Sequence, residues 1–169
     1  MRETSRLQRL SVFLCLLSAP MIGLASEPFS YQTPMTEVAS GSFYVEGRLG
    51  SDVQSEFLVD TGSGYVALTS DTFRKLQRES DVEFDRQISG RMANGKLVTV
   101  PVYRVAEFRL GDCMMRDVEV TVLSGSDRNI LGLSALRKVE PFAMQLDPPT
   151  LYLSDCALDP EVVIAPSIR

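Results

Sequence analysis

The hydrophobic pattern from Ser42 onward is typical of short β-strands separated by turns. Apolar and polar residues alternate in "SFYVEGRL", and the turn-rich "GSDVQS" separates this run from the apolar "EFLVDTG". Two such runs joined by a turn predict a β-hairpin. A short strand, "YVAL", follows. In "TSDTFRKLQRES", Phe73 and Leu76 then recur at helical spacing behind Ser70, which predicts a short helix with Ser70 as its N-cap.

The second half of the pattern predicts another hairpin and several more strands. Asn94-Gly95 between two long runs is the strongest short-range hairpin signal, and Pro101 indicates an edge or a bulge for residues 97–105. "MRDVEVTVL" alternates, "NILGL" is a buried apolar run, "SALRKVEP" favours a helix, and "FAMQLD" and "TLYL" flank a Pro-Pro turn. We therefore predict a mostly β domain over residues 42–154 with one or two short helices.

Residues 1–25 have the arrangement of regions that is typical of a secretory signal peptide. Three arginines precede an apolar run that ends at Leu24, and small residues mark a cleavage site after Ala25. The alternative is an uncleaved membrane anchor, although the run is short for a transmembrane span. The sequence thus predicts export to the periplasm or the medium, with no stable span after cleavage. In the alternative, the N-terminal segment tethers the protein to the membrane.

Composition limits the classes of partner. The chain has 169 residues, 44% hydrophobic and 23% charged, which suits one soluble globular domain. Without residues 1–25 it carries 14 basic and 21 acidic residues, a net charge of −7. Such an acidic chain is a poor candidate for binding nucleic acid or an anionic membrane surface. We expect residues 26–41 to be a linker or N-terminal arm, which could be a removable pro-segment, and residues 155–169 to be a C-terminal tail.

Histidine and cysteine content excludes several chemistries. The chain has no histidine, which excludes Ser-His-Asp and Cys-His catalytic sets and the usual zinc sites. Cys15 lies in the signal peptide, so Cys113 and Cys156 remain. These two either pair in an oxidising compartment or stay as separate buried thiols. Catalysis, if present, must use carboxylates, hydroxyls, lysine or arginine.

Asp60-Thr61-Gly62 directly follows the apolar run "FLV". A carboxylate at the end of such a strand leaves water, and an isolated buried charge is costly. Surrounding donors make it tolerable, and so does a proton shared with another acid. The tripeptide alone could also be a turn whose aspartate caps its own loop. About 70 residues later, Ile130-Leu131-Gly132 forms a second signal, two apolar residues and a glycine ahead of a helix.

Together these motifs resemble the retropepsin-like aspartic proteases, and most closely the exported single-domain bacterial type. The resemblance covers residues 42–153. It rests on the order of strand, Asp-Thr-Gly-Ser, short helix, hairpin with Ala-Asn-Gly at its tip, paired strands, apolar-apolar-Gly and helix. It implies a closed β-barrel or sandwich domain that cleaves peptides or proteins. One Asp-Thr-Gly per chain supplies one carboxylate where the reaction needs two, so the resemblance also implies a two-fold homodimer.

The resemblance implies specific roles for the loop residues. Asp60 from each subunit would share one proton, because two carboxylates about 3 Å apart cannot both ionise. The ionised one would activate a water and the protonated one would bond the scissile carbonyl, with no metal or cofactor. Thr61, Gly62 and Ser63 would support the loop: Thr61 by bonding the partner's loop, and Ser63 by bonding the outer carboxylate oxygen.

Two further segments take roles from the resemblance. The hairpin tip would be a flap that closes over substrate, formed by Met92, Ala93, Asn94 and Gly95; the alternative is an ordinary surface hairpin. A structural brace for the catalytic loop would consist of Ile130, Leu131 and Gly132.

Some residues are expected to have purely structural roles, and two alternative functions exist for the whole chain. We expect solvated strand faces for Arg86, Arg91 and Arg104, and packing roles for Tyr65 and Tyr103. A non-catalytic retropepsin-like dimer that binds peptides or proteins is the main alternative function. A monomeric exported β-domain with an incidental Asp-Thr-Gly is the third.

Overall fold

The computed structural model describes residues 29–92 and 94–157. Its strands are β1 (Tyr31–Glu37), β2 (Phe43–Leu49), β3 (Val53–Val59), β4 (Val66–Leu68), β5 (Val82–Arg91), β6 (Leu97–Leu110), β7 (Cys113–Val122), β8 (Asn129–Leu131), β9 (Ala143–Leu146) and β10 (Pro149–Leu153). Its helices are α1 (Ser70–Glu79) and α2 (Leu133–Leu136), and a 3₁₀ turn over Arg137–Val139 extends α2.

Six strands close into a barrel, in the order β2, β3, β8, β4, β7 and β6. The closing contact pairs β6 with β2, where Leu49 lies opposite Phe108. β5 extends the sheet from residues 97–105 of β6, ahead of the contact with β2. On the other side of β2, the sheet continues through β1, β10 and β9. The predicted fold class, a mostly β closed barrel with short helices, is therefore confirmed.

The barrel core comes from alternate residues of the strands, because successive side chains of a strand point to opposite faces. Phe57 and Phe108 are fully buried, and their ring centroids lie 5.0 Å apart. Gly47 makes room for this pair, since a Cβ there would lie 2.7 Å from the Phe108 ring. The core thus depends on one glycine in a strand that otherwise alternates normally.

Helix α1 covers the barrel with Phe73 and Leu76, as its spacing predicted. Its N-cap is Thr69 rather than the predicted Ser70, because Thr69 Oγ1 accepts a hydrogen bond from the Thr72 N–H at 3.1 Å. The prediction of the helix was correct and its start was misplaced by one residue.

Part of the predicted N-terminal arm belongs to the sheet. β1 lies within residues 26–41 and pairs with both β10 and β2. Its buried positions include the polar Thr33, whose hydroxyl donates to the Leu110 carbonyl at 3.1 Å. A buried threonine and the exposed Pro34 obscure the alternation, which is why the sequence did not predict a strand. The β-domain therefore begins before residue 42.

The other segments predicted at the two chain ends lie mostly outside the described residues. The predicted signal peptide, residues 1–25, and residues 158–169 of the predicted tail are among these. Within residues 29–92 and 94–157, no helix has the length and apolar character needed to cross a membrane.

A disulfide joins Cys113 at the start of β7 to Cys156 after β10, with Cα atoms 5.2 Å apart. The Ala157 N–H also donates to the Met114 carbonyl at 2.8 Å. The first residues of the predicted C-terminal tail are therefore attached to β7. Of the two alternatives left open by the sequence, the structure has the paired one.

Reduction of this disulfide is expected to lower the free energy of unfolding by about 3–4 kcal/mol. The bond spans a sequence separation of 43 residues, and opening a loop of that length restores conformational entropy to the unfolded chain. Urea unfolding with and without a phosphine reductant measures the change. The double variant Cys113→Ala/Cys156→Ala is the control and should not respond to the reductant. Equal stability of the oxidised and reduced wild type would contradict the expectation.

Candidate active site

Asp60 leaves the barrel at the end of β3, beside the parallel strand β8. Its N–H donates to the Leu131 carbonyl at 3.1 Å, and its own carbonyl accepts from the Ser63 N–H at 3.2 Å. The Gly62 N–H donates to Asp60 Oδ1 at 2.9 Å. The half-buried carboxylate is therefore oriented by the backbone of its own loop.

The tip of this loop faces outward. Thr61 and Gly62 are exposed, and the Thr61 hydroxyl makes no hydrogen bond within the described part of the chain. A Cβ at Gly62 would lie 3.1 Å from Asp60 Oδ1, so a side chain would crowd the carboxylate. The arrangement leaves one acid and one hydroxyl accessible to a group from outside this chain.

Ser63 supports the loop differently from the expectation. Its hydroxyl donates to the Tyr65 carbonyl at 2.8 Å, whereas the resemblance implied a bond to the outer oxygen of Asp60. The reason is local, since a serine two residues before a free carbonyl readily closes a small turn. Ser63 therefore stabilises the exit of the loop rather than the carboxylate itself.

The predicted brace residues lie on β8 and directly after it. Ile130 pairs with Leu58 on β3 and with Ala67 on β4, and Leu131 is fully buried. Gly132 follows, and a Cβ there would lie 2.2 Å from the Tyr65 carbonyl oxygen, so only glycine lets the two backbones approach so closely.

Ser134 is a supporting residue that the sequence analysis did not single out. Its Oγ accepts from the Val66 N–H at 2.8 Å and donates to the Glu119 carbonyl at 2.6 Å. One hydroxyl thereby connects α2 with β4 and β7. The signal in the sequence is weak, because serine near a helix start is ordinarily read as a cap.

Ser134→Ala is expected to lower the free energy of unfolding by about 1–3 kcal/mol, because the N–H of the fully buried Val66 loses its acceptor. Urea unfolding measures the effect. Ser40→Ala is the matched control, since Ser40 is exposed and bonds only Ser42 among the described residues. Equal stability of the two variants would refute the bridging role.

The predicted hairpin forms between β5 and β6. At its tip the Met92 N–H donates to the Lys96 carbonyl and the Gly95 N–H donates to the Met92 carbonyl, both at 2.8 Å. Gly95 has a φ of +82°, and Asn94 Oδ1 accepts from the Lys96 N–H at 3.0 Å. Ala93 lies outside the described residues. The function of the tip as a flap stays a prediction.

A groove of about 530 Å³ lies between this hairpin and the loop after β7. Its lining is mainly apolar and comprises Met92, Val98, Thr99, Val100, Pro101, Val122, Leu123, Ser124, Gly125, Ser126, Arg128 and Ile130. Ile130 precedes Leu131, whose carbonyl holds the Asp60 backbone. The groove can accept an apolar side chain next to the strand that holds the Asp60 loop.

Arg86 and Tyr65 meet beside this loop, whereas the sequence analysis expected a solvated strand face for Arg86 and a packing role for Tyr65. The two terminal nitrogens of Arg86 donate to the Glu119 carboxylate at 2.8 and 3.1 Å, and Nη2 also donates to the Tyr65 hydroxyl at 3.2 Å. These hydrogen bonds hold the pKa of the Glu119 carboxyl below its ordinary value and raise the pKa of Arg86. Glu119 therefore stays ionised at a pH where an unpaired glutamate begins to take up a proton.

Comparison with known proteins identifies the family of this chain. The sequence model of the family described as "gag-polyprotein putative aspartyl protease" matches residues 45–138, more than half of the chain. The crystal structure of a retropepsin-like aspartic protease from Rickettsia conorii aligns with a TM-score of 0.54 and 22% identity, covering 73% of this chain and 90% of that one. No curated protein matches the chain. The chain therefore belongs to the retropepsin-like aspartic proteases.

Proposed function

We propose that this protein is an aspartic endopeptidase that acts as a homodimer, with Asp60 from each subunit forming the catalytic pair. The observation that carries the proposal is the Asp60 carboxylate, held by the Gly62 N–H at 2.9 Å in a loop whose next two residues are exposed. One subunit presents one oriented acid. A two-fold axis at the loop tip would bring in the second acid and would give the Thr61 hydroxyl a partner.

The chemistry follows from two carboxylates that share one proton. The ionised carboxylate removes a proton from a water whose oxygen attacks the carbonyl carbon of the peptide bond. The protonated carboxylate gives its proton to the carbonyl oxygen, which yields a neutral tetrahedral intermediate. Collapse of this intermediate breaks the C–N bond, and a proton passes to the leaving nitrogen. Water, acid and base suffice for every step.

The substrate would bind as an extended strand between the barrel and the hairpin, gaining main-chain hydrogen bonds as an added strand does. The apolar lining of the 530 Å³ groove supports an apolar side chain next to the cleaved bond. We also propose that residues 1–25 direct export to the periplasm or the medium. The disulfide between Cys113 and Cys156 supports an oxidising compartment.

Cleavage of a proteome-derived peptide library tests the proposal. The chain from Ser26 onward is incubated with the library between about pH 4 and 7 at several protein concentrations, and products are identified by mass spectrometry. We expect cuts beside bulky apolar residues, lost in Asp60→Asn, with activity per chain rising with concentration as dimers form. A folded dimer that cuts nothing would instead support a peptide- or protein-binding domain. A folded monomer that cuts nothing would leave Asp60 as a turn residue.

A further inference from the structure

Arg86 contacts two elements that support the catalytic loop. It belongs to β5, the first strand of the hairpin, and its guanidinium reaches the Glu119 carboxylate on β7 and the Tyr65 hydroxyl just before β4. It also forms an ion pair with its neighbour Asp85, which Arg104 of β6 contacts at 2.8 Å. Besides its backbone pairing with β6, the first strand of the hairpin is thus connected to β7 and to the residue before β4 through one side chain.

Tyr65 carries one of these contacts to the loop. Its carbonyl accepts from the Ser63 hydroxyl at 2.8 Å and lies so close to Gly132 that a Cβ there would come within 2.2 Å. The Leu133 N–H in turn donates to the Ser63 carbonyl at 2.9 Å. A shift of the Tyr65 ring therefore moves a backbone that has almost no free space and that leads directly to Asp60.

Glu119 carries the other contact. Its carbonyl accepts from Ser134 Oγ at 2.6 Å, and the same Oγ accepts from the Val66 N–H at 2.8 Å. Arg86 thus reaches the segment from Ser63 to Val66 by two routes, through the ring of Tyr65 and through the backbone of Glu119.

We infer that Arg86 is a positioning residue that couples the hairpin to the catalytic loop through Tyr65 and Glu119. The inference rests on the proposed function for its effect on the reaction. A planar guanidinium bonds both carboxylate oxygens and the phenol at once, whereas a lysine ammonium is a point charge without this fork. Arg86→Lys therefore keeps the charge and loses the coupling.

Substitution of Arg86 is expected to affect the coupling much more than the free energy of unfolding. Its side chain is 41% exposed and that of Glu119 is 31% exposed, so solvent screens the ion pair and little of the free energy of unfolding depends on it. Arg104 offers a control on the same hairpin. It pairs with Asp85 at similar exposure, 48%, and lies opposite Glu119 in the β6–β7 ladder, but no described hydrogen bond of its side chain reaches Glu119 or Tyr65.

The test compares Arg86→Leu, Arg86→Lys, Tyr65→Phe and Arg104→Leu. Amide hydrogen exchange of Ser63, Val66 and Leu133 reports on the loop without requiring activity. We expect roughly tenfold faster exchange at these amides in both Arg86 variants, a smaller increase in Tyr65→Phe, and no change in Arg104→Leu. The double variant Arg86→Leu/Tyr65→Phe should exchange no faster than Arg86→Leu, because each substitution removes the hydrogen bond between Arg86 and the Tyr65 hydroxyl.

Kinetics on a peptide cleaved by the wild type form the second arm. We expect kcat to fall on the order of 10- to 100-fold in Arg86→Leu with little change in KM, because a displaced acid loses alignment rather than substrate contacts. Arg104→Leu should keep the wild-type kcat. Urea unfolding checks that each variant is folded; if Arg86→Leu is not, Arg86→Lys and Tyr65→Phe carry the test.

The two arms distinguish failure of this inference from failure of the proposed function. Wild-type exchange at the loop amides in both Arg86 variants would overturn the coupling even if Asp60-dependent cleavage is observed. Equal kcat in the Arg86 and Arg104 variants would overturn it as well. A wild type that cuts nothing would refute the endopeptidase, and the exchange arm would still decide whether Arg86 positions the loop.

Discussion

Asp60→Asn is expected to reduce peptide cleavage by about 10²- to 10⁴-fold, the usual contribution of a positioned acid or base. Asparagine keeps the size of the side chain and an oxygen that can accept from the Gly62 N–H, which donates to Asp60 Oδ1 at 2.9 Å. It cannot take the proton from water. Initial rates at a concentration where the wild type is dimeric measure the effect, and urea unfolding should give nearly equal stabilities.

Mixing the two proteins tests whether both acids of a pair come from different subunits. After unfolding and refolding of equal amounts together, activity should fall to about a quarter of that of wild type at the same total concentration. The reason is that random pairing leaves about one dimer in four with two intact subunits. An activity of one half would mean that each subunit works alone, and would refute a site shared across the dimer.

Gly132→Ala is expected to lower the free energy of unfolding by about 1–3 kcal/mol or more and to abolish cleavage. The new Cβ would lie 2.2 Å from the Tyr65 carbonyl oxygen and 2.8 Å from the Ser63 carbonyl oxygen. Both obstacles are backbone, so relief requires β8 and the Asp60 loop to separate. That movement would also break the bond from the Asp60 N–H to the Leu131 carbonyl, 3.1 Å in the native fold.

Urea unfolding and initial cleavage rates measure both effects. Gly90→Ala is the matched control, because a Cβ at Gly90 meets nothing within 4 Å. Gly90 lies near the end of β5, as Gly132 lies directly after the end of β8. If Gly132→Ala were as stable as Gly90→Ala and fully active, the close approach at Gly132 would not be needed for the site.

Local patterns were enough to predict most of the elements. Alternation identified β2 and β7, the apolar run before Asp60 identified β3, the Asn94-Gly95 turn identified the hairpin, and helical spacing identified α1. These signals act between residues a few positions apart, so they are present in any single stretch of sequence. β1 was missed because its buried Thr33 is polar and is stabilised by the Leu110 carbonyl, a partner 77 residues away.

The candidate site also has a part that the sequence predicts and a part that depends on the fold. Asp60-Thr61-Gly62 at the end of an apolar run and Ile130-Leu131-Gly132 ahead of a helix are visible as motifs, whereas their contact, from the Asp60 N–H to the Leu131 carbonyl, depends on the parallel pairing of β3 with β8. The resemblance to a family supplied the expectation that they meet. Spacing along the chain alone does not contain it.

The sequence by itself determined the strand and helix periods, the turn at the hairpin tip, the exclusion of histidine chemistry and the acid at the end of an apolar strand. Only the tertiary structure decided that β6 closes the barrel against β2, that Cys113 pairs with Cys156 and that Arg86 reaches Tyr65 and Glu119. The physical reason is that backbone propensity and hydrophobic period are properties of neighbouring residues. Long-range pairs form only where the packing of the whole barrel brings distant atoms within bonding distance.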